Sequence, residues 1–405
     1  MEDFQVIKGG RKNDNDNDGH RHKFLKVKDF IDLNWEIRKN TVTMELEYRT
    51  TESPSFKPID DAVLSSIWLK TQFEGFNISD SVLVKILNSE LTPNYNPFKE
   101  FFKNLPKWDG EDHIQQLADT LKIAAGDEKN NRVSQKDLWE PYLKKWLVGA
   151  VAQVLDKGSN HLCLILVGAQ GKGKTTWLNK LCPDKMKDHL MVGHINPTLT
   201  DNNTANLLAE KWLVNIDDQL DYIFGKDFNS LKSIITTPTI TNRKVFQRFT
   251  KTRKRTCSFM GSVNNVNFLT DTENRRYLVF TVEDIDFKHE VDILQVWSQA
   301  KELLKNKHQY WFNAEEIKTL NRVNESYRQA IAEEEWLQKM FSPAEPVDPK
   351  AKPFMASEIL TKLNEVSGLK LRMSKLSQAL QHYGYKQVSK RIQGQPRNVY
   401  MVLEN

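Results

Sequence analysis

The spacing of apolar residues divides the chain into regions with different predicted structure. Over most of residues 23–134, apolar positions recur every three or four residues, which predicts a mostly helical N-terminal region. A strand-like alternation occurs at Val42, Met44, Leu46 and Tyr48. Residues 1–22 combine low hydrophobicity with a repetitive Asn/Asp tract, so we expect a disordered tail there.

Continuous apolar runs replace this periodicity in the middle of the chain. The first run, LCLILVG, covers residues 162–168 and is typical of a strand that is buried on both faces of a parallel sheet. Three more candidate strands lie within residues 211–218, 256–265 and 275–282. Because strands and helical stretches alternate, residues 135–300 are predicted to form a three-layer α/β core.

Further regions follow this predicted core. Helical periodicity over residues 301–342 predicts a helical extension, and the proline-rich residues 343–353 predict a linker. Residues 354–405 contain two helical stretches and then two short strands around Gly394, an order that predicts a winged-helix-like domain. Such a domain docks either DNA or a protein. Its candidate phosphate contacts are Lys386, Lys390, Arg391 and Arg397.

Composition narrows the classes of protein that fit this pattern. The chain has 405 residues and a formal net charge of +5, and no apolar run approaches the roughly 18 residues of a membrane span. The N-terminus lacks the apolar centre of a signal peptide, so we expect a cytoplasmic protein with no membrane partner. The three cysteines are isolated in sequence and form no C-x-x-C pair, so neither a zinc ribbon nor a disulfide framework is supported.

A glycine-rich loop follows the first apolar strand. Residues 168–175 read GAQGKGKT and match G-x-x-x-x-G-K-[ST], a pattern in which backbone N–H groups and a helix N-terminus surround a phosphate. Lys174 would meet the β- and γ-phosphates as a catalytic cation, and the Thr175 hydroxyl would bind Mg²⁺. We therefore expect ATP and Mg²⁺ as ligands, with nucleotide contacts from Gly168, Ala169, Gln170, Gly171, Lys172, Gly173, Lys174, Thr175 and Thr176.

Polar residues beside the other predicted strands supply the groups that hydrolysis needs. Asp217 and Asp218 follow a strand; we expect Asp217 to complete the Mg²⁺ shell and Asp218 to polarise the attacking water. Asn264 follows the strand SFMGSV and is either a group that orients this water or a turn asparagine. Arg275 and Arg276 precede the last strand, where they either form a solvated edge or reach a γ-phosphate held by a neighbouring subunit.

The segment RKVFQRFTKTRKR, residues 243–255, carries seven Lys or Arg residues and no acidic residue. Cations interleaved with aromatic rings suit a single-stranded nucleic acid, whose phosphates pair with the cations while its bases stack on the rings. A solvated charged face has the same composition, so both interpretations stay open on composition alone. The candidate DNA contacts are Arg243, Lys244, Phe246, Arg248 and Lys251.

Four stretches together resemble the virulence-associated protein E (VapE-like) family. They read NPFKEFFKNLPKWDGEDHI, LILVGAQGKGKTTWLNKLCP, WLVNIDD and SFMGSVNNVNFLTDTENRRYLVF, and the resemblance covers residues 90–300. Members of this family are P-loop ATPases of phages and other mobile elements, related to superfamily 3 replicative helicases. The resemblance implies an AAA+/superfamily 3-like P-loop NTPase core with Asn264 as its sensor residue and Arg275 and Arg276 as its arginine finger.

The resemblance also implies an assembly and a role. Related superfamily 3 enzymes form hexameric rings in which a hairpin grips DNA in the central channel, and residues 243–255 occupy the corresponding place. A homo-oligomeric, ATP-dependent helicase or translocase would follow, acting on single-stranded or forked DNA with replication proteins of a phage or mobile element. The alternatives are an initiator or helicase loader that does not unwind DNA, and an ATPase of phage–host conflict. Primase activity is not expected, because the region before the core shows no acidic polymerase triad.

Overall fold

The protein is described by a computed structural model that covers residues 14–125, 134–196, 201–217, 226–242, 251–269, 274–392 and 394–405. Two compact units make up the chain. The first comprises Met1–Asn264 and Arg275–Leu320, and the second comprises Asn265–Asn274 and Asn321–Asn405. Among the helices in these described ranges, none is both long enough and apolar enough to cross a membrane.

The first unit begins with a small sheet. Helix α1 (Asp14–Asn34) precedes the four strands of this sheet, which lie in the order β3-β2-β1-β4: β1 (Glu36–Asn40), β2 (Leu46–Arg49), β3 (Lys57–Pro58) and β4 (Asn94–Tyr95). Helices α2 (Asp61–Phe73) and α3 (Asp80–Leu87) lie between β3 and β4 in the chain and share an apolar cluster with α1. The N-terminal region is therefore mixed rather than mostly helical. Leu46 and Tyr48 of the predicted alternation lie in β2, whereas Val42 and Met44 precede it. The other strands have two to five residues and are too short to show a clear alternation.

Helix α1 begins inside the stretch that we predicted to be a disordered tail. It starts at Asp14, within the Asn/Asp tract, and Val27 and Ile31 of the same helix are fully buried. Tertiary packing of an apolar face stabilises a helix, and acidic residues are favourable in its first turn because they face the positive end of the helix dipole. The helix thus overlaps residues 14–22 of the predicted tail, and residues 1–13 lie outside the described residues.

A six-stranded sheet forms the centre of the first unit. Its order is β5-β12-β6-β11-β8-β7, and its strands are β5 (Leu121–Ile123), β6 (Cys163–Val167), β7 (Leu190–Val192), β8 (Leu213–Asn215), β11 (Ser258–Val263) and β12 (Tyr277–Ile285). Five strands are parallel, and β5 pairs with β12 in the antiparallel direction. The four strands predicted from apolar runs correspond to β6, β8, β11 and β12. The predicted α/β class is confirmed.

Helices of the first unit pack on this sheet and extend the core toward the N-terminus. They are α4 (Pro97–Lys103), α5 (His113–Ala118), α6 (Gln135–Val154), α7 (Lys174–Lys180), α8 (Asn202–Glu210), α9 (Lys226–Thr236) and α10 (Ile293–Lys305). Phe98 of α4 and Leu117 of α5 share one buried cluster with Trp146, Trp177 and Trp297. Because α4, α5 and β5 belong to the core, the core starts well before the predicted boundary at residue 135.

Part of the basic segment forms a separate two-stranded ribbon. Strands β9 (Thr239–Asn242) and β10 (Lys251–Lys254) are antiparallel, with Lys251 paired to Asn242. Residues 243–250 connect them and lie outside the described residues.

The second unit combines helices with a four-stranded sheet. Helix α11 (Ala314–Glu325) spans the boundary between the units, and α12 (Ala332–Met340), α13 (Ala356–Ser367) and α14 (Met373–His382) follow. Strands β13 (Phe341–Pro343), β14 (Lys352–Phe354) and β15 (Gln387–Ile392) each pair with β16 (Gln395–Glu404).

The predicted linker at residues 343–353 and part of the predicted helical extension belong to this second unit. Leu337 and Phe341 are buried in the same cluster as Ile359 and Leu376, and the unit resumes at Asn321 rather than at residue 354. The prolines that suggested a linker lie in strands, Pro343 in β13 and Pro353 in β14. Both strands pair only with β16, and proline is tolerated in such edge strands.

Candidate functional site

The carboxyl ends of parallel strands bring the polar candidates to one edge of the core sheet. Gly168 directly follows β6, Asn264 directly follows β11, and Asp217 lies two residues beyond β8. Strand β11 lies between β6 and β8, and its last residue, Val263, pairs with Val167 at the end of β6. Open α/β sheets bind their ligands at this edge, so the three positions share the place where a ligand is expected.

The loop after β6 requires glycine for two different reasons. Gly171 and Gly173 have φ angles of +81° and +84°, in the left-handed region that residues with a side chain rarely adopt. A Cβ atom on Gly173 would also lie 2.4 Å from Cδ1 of Phe287, and one on Gly168 would lie 2.9 Å from the carbonyl oxygen of Val282. The loop is therefore shaped both by its backbone conformation and by close neighbours.

Lys174 is the first residue of helix α7, and its side chain lies within the loop. The residue is only 5% exposed. Its Nζ donates hydrogen bonds to the carbonyl oxygens of Gly168 (2.7 Å) and Ala169 (3.0 Å) and to Oδ1 of Asn264 (3.0 Å). These three acceptors are uncharged oxygen atoms that orient the ammonium group. The structure thus brings together the predicted lysine and the predicted sensor asparagine.

Oxygen atoms converge on Asp217 beside the lysine. The Thr175 hydroxyl donates to Oδ1 of Asp217 at 2.8 Å, and the Ser262 hydroxyl donates to the same carboxylate oxygen. Hydroxyl and carboxylate oxygens are the hard ligands that Mg²⁺ prefers, so Thr175 and Asp217 fit a magnesium ion. Ser262 was not among the residues predicted from the sequence. Its signal was a hydroxyl near the carboxyl end of an otherwise apolar strand.

The other loop candidates lie at the surface. Ala169, Gln170 and Thr176 are exposed, and Lys172 is also exposed while its Nζ donates to the carbonyl oxygen of Glu283 at 2.7 Å. The side chain of Lys172 therefore contacts β12 on the outside of the loop, whereas that of Lys174 points inward.

The paired arginines lie at the opposite edge of the same sheet. Arg275 and Arg276 immediately precede β12, and the N–H of Cys163, the first residue of β6, donates to the carbonyl oxygen of Arg276 at 2.8 Å. The loop follows the other end of β6, after Val167. Since β6 and β12 are parallel over five paired positions, the arginines and Lys174 of one chain are separated by the length of a strand. The structure does not bring them together within a single chain.

Several predicted residues lie outside the described residues: Asp218, Arg243, Lys244, Phe246 and Arg248. Lys251 begins β10.

The remaining cations of the basic segment contact other residues of the first unit. Arg253 donates to Oε1 of Glu210 at 2.9 Å, and Lys254 forms a 2.6 Å ion pair with Asp156. Arg255 is fully buried, and its guanidinium donates to the carbonyl oxygens of Thr237, Cys257 and Asn160. Arg253 and Arg255 thus hold parts of the fold together and Lys254 is paired at the surface, so the net positive charge that is available to a ligand is smaller than composition alone suggested.

The motif WDGEDH, residues 108–113, forms a hydrogen-bonded turn between α4 and α5. The Asp109 carboxylate accepts a hydrogen bond from the Glu111 N–H at 2.9 Å and contacts Nε2 of His113 at 2.9 Å. The Glu111 N–H, and then His113, lower the pKa of Asp109 below its usual value. This network fixes the start of α5, whose Ile114 and Leu117 are buried in the core.

The fold and the site together define an α/β protein with a glycine-rich loop at the carboxyl edge of a set of parallel strands. Residues 102–329 match the virulence-associated protein E-like domain, and the chain belongs to this family. The resemblance read from the four sequence stretches is thereby confirmed.

Solved structures of the NrS-1 C-terminal region are also similar to this chain. An apo structure of that region is 13% identical over 95% of this chain and 99% of that chain, with a TM-score of 0.47. A second, A form apo structure is 13% identical with the same coverage and a TM-score of 0.45. A comparison with curated proteins finds no match.

Proposed function

We propose that the chain is an ATP-dependent DNA helicase or translocase that acts as a ring in the replication of a phage or mobile element. One observation carries this proposal: Lys174 Nζ lies 3.0 Å from Asn264 Oδ1 while the Thr175 hydroxyl lies 2.8 Å from Asp217, all at one sheet edge. A cation, a metal-ligand pair and an amide are the groups that phosphoryl transfer needs around a γ-phosphate.

Each of these groups would have a distinct task toward ATP. The loop N–H groups and the N-terminus of the helix that starts at Lys174 would hold the phosphates, with the ammonium group on the β- and γ-phosphates. Mg²⁺ held by Thr175 and Asp217 would neutralise charge that develops on the phosphate oxygens. Asn264, already in contact with Lys174, would orient the attacking water, and Asp218 would accept its proton.

Completion of the site would require a second copy of the chain. Arg275 and Arg276 lie at the sheet edge opposite to the loop, so their charge would reach a γ-phosphate only in a neighbouring protomer. If one edge of each protomer meets the opposite edge of the next, the contact is head-to-tail. Such a contact forms a ring when the rotation between neighbouring protomers closes. A hexamer agrees with the related superfamily 3 enzymes.

DNA would be held by the loop of the β9–β10 ribbon. The connecting segment contains Arg243, Lys244 and Arg248 with Phe246 between them, so cations would contact phosphates while a ring stacks on a base. A ribbon of this kind in the ring channel would pull one strand of a forked duplex.

A second candidate function, an initiator or helicase loader, is favoured by the second unit. Helices α13 and α14, followed by the β15–β16 hairpin, have the order of a winged helix. Lys390 pairs directly with Arg397 across this hairpin, and both residues are exposed. Like charges that face each other across strands are destabilising, so an anion such as DNA phosphate would relieve their repulsion.

Strand displacement on a forked DNA duplex separates the two functions. The full chain with ATP and Mg²⁺ should release the displaced strand, and the Lys174→Ala variant should bind the fork without releasing it. A loader would give ATP-dependent binding with no displacement by either protein. In both cases binding should weaken steeply as salt rises, because cation–phosphate contacts release counterions.

A further inference from the structure

A cavity of about 390 Å³ lies at the sheet edge opposite to the glycine-rich loop. Its walls come from the residues before β6, the end of α9, the residues before β12, the segment between α10 and α11, and Ile317 of α11. This volume lies within the range of small-molecule pockets, about 300–1,000 Å³. The phosphate loop does not contribute to it, so the cavity is a separate place in the first unit.

One side of the cavity carries positive charge that no described acid neutralises. Arg275 and Arg276 both line it, Arg275 is exposed, and Nε of Arg276 is buried without a hydrogen-bond partner. Within the part of the chain that the structure describes, neither arginine has an ion-pair partner.

The positive charge of these arginines also affects a nearby side chain, that of His161. Partial desolvation of its ring, followed by the charges of Arg255, Arg276 and Arg275, lowers the pKa of His161 below its usual value. The ring is therefore neutral at pH 7 and leaves the guanidinium groups as the charged part of the wall. A planar guanidinium matches phosphate oxygens in a two-pronged arrangement, so this side suits a phosphate group.

The other side of the cavity is an aromatic wall made by Tyr310, Trp311 and Phe312. Tyr310 lies directly over Gly158, where a Cβ atom would lie 1.8 Å from its hydroxyl oxygen. Phe312 packs edge-on against Tyr142 with a ring-centroid distance of 4.6 Å. Trp311 is 59% exposed, so two anchored rings flank one accessible ring.

We propose that this cavity is a second nucleotide-binding site. Its ligand is a nucleotide with a terminal phosphate, held by Arg275 and Arg276, whose base stacks on the aromatic wall at Trp311. Phosphate recognition by arginine and base stacking on tryptophan are the two contacts that bind nucleotides without reading their sequence. The ligand is either a free nucleotide or the 5′-phosphorylated end of a DNA strand, which share this chemistry.

This site goes beyond the proposed function and uses the same two arginines. A nucleotide in the cavity would hold both guanidinium groups within their own chain and keep them from a neighbouring protomer. Occupancy of the cavity and donation of an arginine to the neighbour are therefore alternatives.

The test uses the full chain with the Lys174→Ala substitution, which disables the phosphate loop in every copy. Calorimetric titration compares AMP with adenosine, and a 5′-phosphorylated trinucleotide with its 5′-hydroxyl counterpart. The same titrations are made with variants that carry, in addition to Lys174→Ala, the substitution Arg275→Gln, Arg276→Gln or Trp311→Ala. Phe73→Ala and Lys305→Gln, which change an exposed aromatic and an exposed cation away from the cavity, are the matched controls.

We expect the phosphorylated probe to bind at least about tenfold more tightly than its unphosphorylated form, and each arginine variant to lose about tenfold in affinity. Trp311→Ala should weaken binding about fivefold or more, and the controls should leave it unchanged. Binding of AMP identifies a free nucleotide as the source, whereas binding of the trinucleotide alone identifies a strand end. Affinities that do not change in Arg275→Gln, a substitution of an exposed residue, would overturn the proposal. So would the absence of binding by both phosphorylated probes at about 1 mM.

Because the phosphate loop is disabled throughout, a failure of the proposed ATPase would not alter these results. Conversely, a negative result here leaves hydrolysis at the loop unaffected.

Discussion

Lys174 Nζ and Asn264 Oδ1 lie 3.0 Å apart, although the two residues are separated by 90 positions in the chain. The contact exists because β6 and β11 are parallel neighbours that end at the same level. It places an amide group beside the cation that is proposed to contact the γ-phosphate.

This contact predicts the effect of replacing Asn264. Asn264→Ala should reduce ATP turnover about 100-fold, because a positioned polar group at the reacting phosphate is lost, while nucleotide affinity changes less than about threefold. Steady-state kinetics combined with nucleotide titration measures both quantities. Asn267→Ala is the control, since Asn267 is an exposed asparagine in the same segment. Equal effects of the two substitutions would mean that Asn264 is only a turn residue.

Substitution of Gly173 should reduce stability for two reasons, backbone strain and a steric clash, and a control glycine separates the two. Gly173→Ala should lower the melting temperature more than Gly75→Ala, although both glycines have positive φ angles, +84° and +77°. A Cβ atom at Gly75 has nothing within 4 Å, so this control carries only the backbone cost of about 1 kcal/mol. In a Phe287→Ala background, Gly173→Ala should lower the melting temperature less than it does in the parent, because the ring that clashes is absent. Equal melting temperatures for the two single variants would contradict the steric argument.

The contacts of Arg255 predict that this cation of the basic segment stabilises the fold and does not bind DNA. Burial lowers the pKa of Arg255, and its guanidinium contacts three main-chain carbonyl groups. Arg255→Met should lower the melting temperature by about 5 °C or more, because several buried carbonyl groups lose their donor.

The control for this prediction is Lys254→Met, the same substitution at the neighbouring exposed cation. Lys254 is exposed and its ion pair with Asp156 is exposed as well, so its removal should change stability by less than about 1 kcal/mol. If Arg255→Met melts at the parent temperature and loses only DNA affinity, the structural role assigned to Arg255 is wrong.

How far the sequence predicts the structure depends on the length of each pattern. The run LCLILVG and the loop after it were sufficient to predict β6 and the start of α7, since a long apolar strand and a glycine pattern are both local signals. Of the sheet of β1 to β4, the sequence indicated only Leu46 and Tyr48 of β2, because the other strands are too short to show a pattern. Pro343 and Pro353 suggested a linker where edge strands form. Ser262 was missed because its role depends on a contact with Asp217, 45 residues away.

Arg275 and Arg276 illustrate a different limit of prediction from the sequence. Sequence identified Arg275 and Arg276, and the parallel pairing of β12 with β6 then showed that they lie at the edge opposite to Lys174. That separation follows from strand direction, which a residue pattern does not contain. It is also the reason why the proposed catalytic site needs two protomers.

The central claim is that a triphosphate bound at the loop of one protomer is cleaved with the help of an arginine from the next. The most direct test measures ATP hydrolysis by Lys174→Ala, by the double variant Arg275→Ala/Arg276→Ala, and by an equal mixture of the two. Each variant alone should be almost inactive. The mixture should recover up to about a quarter of the parent activity, because half of the loops and half of the arginine pairs are intact and combine at random around a ring. A mixture no more active than its components, together with a double variant as active as the parent, would contradict the claim.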